Sequence, residues 1–231
     1  MPIWRGKQAV PGVGPQIHLK YKAFGDGDSY SQEATEAVGL ARIMIRQILT
    51  AMRNGPFGLT AGQLSVMDYY FVFGGAPPSA GDFAIIRDTL HLTSNGLFGG
   101  KLDVKVTVGG GAWGYVNKHD SRFGISDKLR SRFGSAKSGW TPGVDVRDSN
   151  KLTHRGAIHL DTARLDTGPE LSAKTLIHEA THKFASCADF GEKGYTYDED
   201  GTFRAPGLTH AEALNNAESH ARFVLMAFLF P

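Results

Sequence analysis

The sequence predicts an α+β fold, mostly helical with one small sheet, and three observations carry that prediction. Apolar residues recur at three- and four-residue steps through 31–53, 79–92 and 169–184, the period of a helix with one buried face. Leu102, Val104, Val106 and Val108 instead alternate with Asp103, Lys105 and Thr107, the period of a half-buried strand. A second apolar run, Gly156-Ala157-Ile158-His159-Leu160, gives another short strand directly before a helix that opens near Pro169.

Taken in order, residues 1–30 are rich in Gly and Pro and read as an irregular lead-in or linker, with the main domain over 31–231. The helix at 31–53 carries Ala34, Val38, Ile43, Ile45, Ile48, Leu49 and Met52 on its apolar stripe, and Asn54-Gly55-Pro56 stops it. A second helix is expected near 60–70, ahead of Tyr70-Phe71-Val72-Phe73-Gly74. In the third, at 79–92, Phe83, Ile86, Leu90 and Leu92 point inward. The glycines between 109 and 114 satisfy G-x-G-x-x-G, but no helical pattern opens after them, as a dinucleotide site requires; they read as a flexible turn. A last helix spans 210–229, with Thr209 and Glu212 as its capping box.

Composition narrows the function classes. A chain of 231 residues can bury a substantial core, and a net charge of +2 argues neither for nor against acidic partners. Basic residues gather over 122–137, where Ser-Arg-Phe-Gly occurs twice; this reads as a solvated loop, and no nucleic-acid partner is expected. The single Cys187 permits no intramolecular disulfide, and without a separately oriented base it is no thiol nucleophile. The N-terminus lacks a secretory h-region and no stretch is apolar enough for membrane insertion, so cytosolic synthesis is expected, with any export by a route without a cleaved signal.

The chemistry concentrates at His178-Glu179-Ala180-Thr181-His182. On a helix the H-E-x-x-H spacing puts both imidazoles on one face, one turn apart, where they can hold Zn2+, with Glu179 beside them as general base toward a zinc-activated water. Pro169 and Glu170 suit the first turn, and Leu176, Ile177, Ala180 and Phe184 form a core-facing stripe. A catalytic zinc commonly has three protein ligands, so one more is expected downstream. It is not the metzincin histidine, because Ala185 and Ala188 occupy the positions of that pattern's Gly and His. Glu218, on the last helix, is one candidate.

Beyond His182 come Ser186-Cys187-Ala188-Asp189, then Tyr195 and Tyr197, then Asn216-Ala217-Glu218. This order resembles the aspzincins, the deuterolysin and lysine-specific metallo-endopeptidase family, whose pattern is H-E-x-x-H, G-T-x-D with tyrosines beyond, and a helix bearing N-A-D. The resemblance spans residues 30–230 and is most specific after 175. It implies a zincin-like single domain whose small sheet has an edge strand before the H-E-x-x-H helix. It further implies zinc ligands His178, His182 and Asp189, Glu179 as general base, and Tyr195 or Tyr197 supporting the transition state. Ser186 and Cys187 replace the family's Gly and Thr, and Gly191-Glu192-Lys193-Gly194 separates Asp189 from the tyrosines.

The expected activity is zinc endopeptidase, acting on a protein or peptide substrate. An extended substrate would pair with the strand at Ile158, His159 and Leu160. In the lysine-specific relatives, two acids face the pocket for the residue after the scissile bond. Glu218 matches the first and Ala221 replaces the second, implying a basic preference looser than strict lysine specificity. Asn216 would brace a ligand or its loop by a hydrogen bond. Two other readings stand beside this one: an H-E-x-x-H enzyme with Glu218 as third ligand, and a non-catalytic zincin-like binding domain, which would have no need of Glu179 as a base.

Overall fold

The structure is a computed structural model that describes residues 4–5, 18–22, 30–98, 102–108, 112, 114–116, 157–194 and 207–231. Two short strands, β1 (Trp4–Arg5) and β2 (His18–Lys22), lie in the stretch expected to be irregular. The His-Leu-Lys-Tyr-Lys of β2 does alternate polar and apolar residues, but its Gly- and Pro-rich surroundings hide so short a signal.

Helix α1 (Ser31–Ala51) follows, ending in tight 3-10 turns over Met52–Gly58, where Gly55 takes φ +70°. Its buried face includes Met44, whereas Ile43, expected inside, is exposed. In α2 (Ala61–Phe71) the Thr60 hydroxyl accepts from the Gln63 N–H at 3.1 Å and the Gln63 side chain accepts from the Thr60 N–H, a capping box. Helix α3 (Ala80–Phe98) continues past Leu92, the expected end, through Gly96. A Cβ at Gly96 would come within 2.1 Å of the Phe184 ring, so this glycine marks a close helix–helix approach and not a break.

The other strands are β3 (Asp103–Thr107), β4 (Gly114–Val116) and β5 (Ile158–Asp161), in the sheet order β1-β2-β3-β5-β4. Strand β5 pairs with β3 in parallel (Val104 opposite Ile158) and with β4 antiparallel (Gly114 opposite Leu160). The strand before the H-E-x-x-H helix is therefore interior, and among the described strands the edge position expected for it belongs to β4.

After a short α4 (Thr162–Leu165), capped by the Asp161 carboxylate on the Ala163 N–H, comes α5 (Pro169–Ala185). Gly168 at φ +103° lets the chain enter, and Pro169 stands where its missing N–H costs nothing. Every residue from 172 to 183 is buried: α5 packs on α1 and α3 and, on another side, on β4 and β5. The expected helix at 210–229 is two helices, α6 (His210–Leu214) and α7 (Ala217–Leu229), and α7 also packs against α5. Thr209 and Glu212 form the expected capping box. The interruption at Asn216, whose backbone is extended (φ −90°, ψ 121°), lets that residue bridge to Ala188. Among the described residues no helix is long and apolar enough to cross a membrane.

Candidate metal centre

The site is built on α5 and on the turn that leaves it. Ser186 caps the helix in the left-handed region (φ +58°), reversing the chain at the position where the resembled family has glycine. The reversal returns the Cys187 carbonyl to His182, whose Nδ1–H donates to it at 2.7 Å. It also brings the Asp189 Oδ1 to 3.0 Å from His182 Nε2 and 3.5 Å from His178 Nε2. The main chain on either side of Asn216 clamps this turn: the Ala188 N–H donates to the Asn215 carbonyl at 2.9 Å, and the Ala217 N–H to the Ala188 carbonyl at 3.1 Å. Asn216 thus braces the loop through backbone neighbours, while its own Nδ2 donates to Ser219 Oγ at 3.0 Å.

His178 is held from behind. Its Nδ1 lies 2.9 Å from the Glu218 Oε2, which accepts the ring proton and leaves Nε2 with a lone pair. Glu218 is completely buried, and Lys174 Nζ donates to both of its oxygens at 2.7 and 2.8 Å while Arg222 Nε donates to Oε1 at 2.9 Å. Burial alone would raise the Glu218 pKa, but Lys174, His178 and Arg222 outweigh it and hold the carboxyl well below its usual range. Burial lowers the Lys174 pKa, against the opposing pull of Glu218.

The two Nε2 atoms end 3.0 Å apart. With both rings neutral and protonated at Nδ1, two lone pairs would face each other, and a proton or a metal ion between them would relieve that contact. Burial pushes the His182 pKa down; the Asp189 carboxylate, then Glu179 and the Cys187 carbonyl, outweigh it and raise the pKa above its ordinary value. Glu179 Oε1 lies 3.8 Å from His178 Nε2, and its own pKa is raised, first by burial, with the two histidines opposing. Among the described residues His178, His182 and Asp189 form a group whose ligand atoms all lie within 4.8 Å of one another.

That architecture has a solved counterpart. The chain is similar to a solved zinc peptidase from Grifola frondosa, with a TM-score of 0.54 over 87% of this chain and 96% of the other, at 14% sequence identity. The likeness establishes a shared fold. No protein-family model and no curated protein sequence matches the chain.

Several expected assignments change. Glu218 sits on the Nδ1 side of His178, away from the Nε2 atoms, so it does not join the candidate donor group that His178, His182 and Asp189 form. It also cannot face a substrate pocket, being fully buried with both oxygens engaged by the chain's own cations, and the expected basic preference loses its carboxylate. His159 is buried on an interior strand with both ladder sides occupied, so it offers no edge to a substrate. Its ring stacks on Tyr115 at 4.1 Å, and burial, with Lys105 adding, pushes its pKa down to about 4. Cys187 is buried and its thiol is pushed up to about 12, so it serves through its backbone carbonyl, which accepts from His182, and not as a nucleophile. Tyr195, Tyr197 and the basic stretch 122–137 lie outside the described residues.

Sequence reasoning missed Lys174, Arg222 and Gly114. The first two carried a signal, since Lys174 precedes His178 and Glu218 precedes Arg222 by one helical turn. Gly114 did not: a Cβ there would lie 2.7 Å from Thr175 Cγ2 and 3.2 Å from Glu179 Cγ, so only glycine lets the edge strand β4 lie against the helix beside Glu179.

Proposed function

We propose that this chain is a zinc-dependent endopeptidase of the aspzincin kind, with His178, His182 and Asp189 as metal ligands and Glu179 as general base. The observation that carries the reading is the triangle of donor atoms. A tetrahedral ion with bonds of roughly 2.0–2.1 Å separates its ligands by about 3.3 Å; the separations here are 3.0, 3.0 and 3.5 Å. The two-nitrogen, one-oxygen set suits zinc, and both imidazoles are already oriented through Nδ1. The shared fold with a zinc peptidase supports the same reading.

Zinc, when bound, would supply the positive charge that polarises a scissile carbonyl and acidifies a water. Glu179 would take the proton of the attacking water and deliver it to the leaving amine. Burial raises its pKa, which brings the carboxyl nearer the pH at which it must both accept and donate. A protein or peptide substrate would run along the outer edge of β4, whose inner edge is taken by β5, adding main-chain hydrogen bonds beside Glu179. A purely structural zinc domain would have no use for Glu179, a carboxylate that ligates nothing and faces the donor triangle.

Glu179→Gln tests the reading. It keeps the shape and removes the base, so zinc content and melting temperature should stay near wild type while casein cleavage falls by about three orders of magnitude or more. Turnover near the wild-type rate in that variant would sink the hydrolase reading.

A further inference from the structure

Behind the metal site lies a charge cluster that peptide hydrolysis does not itself require. Lys174, Glu218 and Arg222 are all buried, drawn from two helices, and bonded at 2.7 to 2.9 Å. Burying three charges is costly unless geometry matters more than stability, because apolar residues of similar volume usually do as well. The cluster reaches the histidine pair through the Glu218 Oε2 on His178 Nδ1. A carboxylate on α7 with only that contact could rotate away. Here Lys174, one turn before His178 on α5, bonds both oxygens, and Arg222, one turn after Glu218 on α7, bonds Oε1 from the other side. The carboxylate plane is held from three directions.

We propose that Lys174 and Arg222 are positioning residues, which lock Glu218 so that its carboxylate keeps His178 in the tautomer and ring orientation that present Nε2 to the metal. The proposal rests on the zinc reading above. It also assigns the carboxylate to the protein's own lysine, so that it does not recognise a substrate cation.

Zinc affinity by competition with a chromophoric chelator, and melting temperature, measured on the full chain, separate positioning from plain stability. Glu218→Gln keeps the shape but leaves two buried cations against a neutral amide. It should weaken zinc binding by about 10- to 100-fold and lower the melting temperature by about 10 °C. Adding Lys174→Met to that variant removes one of the two stranded cations, so the melting temperature should recover in part while zinc affinity stays low. Lys174→Met alone should leave Glu218 paired with Arg222 but free to turn, with roughly 10-fold weaker zinc and shifted d–d bands when cobalt replaces zinc. Affinity that recovers together with the melting temperature in the double variant would make the cluster merely structural. Wild-type affinity in Glu218→Gln or Lys174→Met would overturn the proposal while leaving the metal reading intact; a wild-type chain that holds no zinc would overturn both.

Discussion

On the Nδ1 side of the histidine pair, every partner is buried: Glu218 between Lys174 and Arg222, and the Cys187 carbonyl under a closed turn. On the Nε2 side, Asp189 keeps 35% of its side chain exposed, and the edge strand β4 runs beside Glu179. Among the described residues the same two rings thus separate a buried, charge-paired scaffold from a more open face lined by the carboxylates of Asp189 and Glu179. A wrong charge behind the rings strands an ion in the core, whereas a change in front alters what can bind and leaves the fold intact. Rigid support behind and access in front is the division of labour a hydrolytic site needs.

The largest break should come from the front. Asp189→Ala removes the oxygen from the donor triangle, and zinc affinity should fall by at least about 100-fold, more than for any variant behind the rings. Chelator competition checks it; a greater loss in Glu218→Ala would reverse the assignment of the third ligand. A smaller effect is expected at the wall of the open face. Gly114→Ala forces β4 away from Thr175 and Glu179, and kcat/KM should drop by about 10- to 100-fold with zinc content unchanged. Unaltered kinetics would show that β4 does not shape the substrate path.

The smallest expected effect sharpens the contrast from behind. His220 on α7 is fully buried, its Nε2 facing the Leu214 carbonyl at 2.9 Å, and burial depresses its pKa to about 4. A depressed histidine binds its proton more readily in the unfolded chain, so its share of stability is complete above about pH 6.5 and is lost as pH falls toward 4. Between pH 7 and pH 5 this amounts to about 2 kcal/mol. Urea unfolding at the two pH values should show a loss in wild type that is reduced by that amount in His220→Gln; equal losses would place the sensitivity elsewhere.

How much of this was legible depended on range along the chain. The H-E-x-x-H helix, its Pro169 entry and the Thr209 capping box are local patterns, and they stand where the sequence put them. Asp189 stood out only through resemblance, because the left-handed turn at Ser186 that returns it to the histidines leaves no periodic trace. Glu218 was misassigned for a physical reason: its partners Lys174 and His178 lie 44 and 40 residues away, and no local rule pairs them. The split of the last helix follows from a backbone bridge to Ala188, equally remote. Strand β4 is three residues long, too short to alternate visibly, so β5 was given the edge that β4 holds.

Zinc-edge X-ray absorption on the purified protein tests the central claim most directly, because it reads which atoms touch the metal. A shell of two imidazole nitrogens and oxygen at roughly 2.0–2.2 Å, with no sulfur, is the result expected from His178, His182 and Asp189. A sulfur scatterer at about 2.3 Å, a shell with only one imidazole, or the absence of zinc from the protein would contradict it.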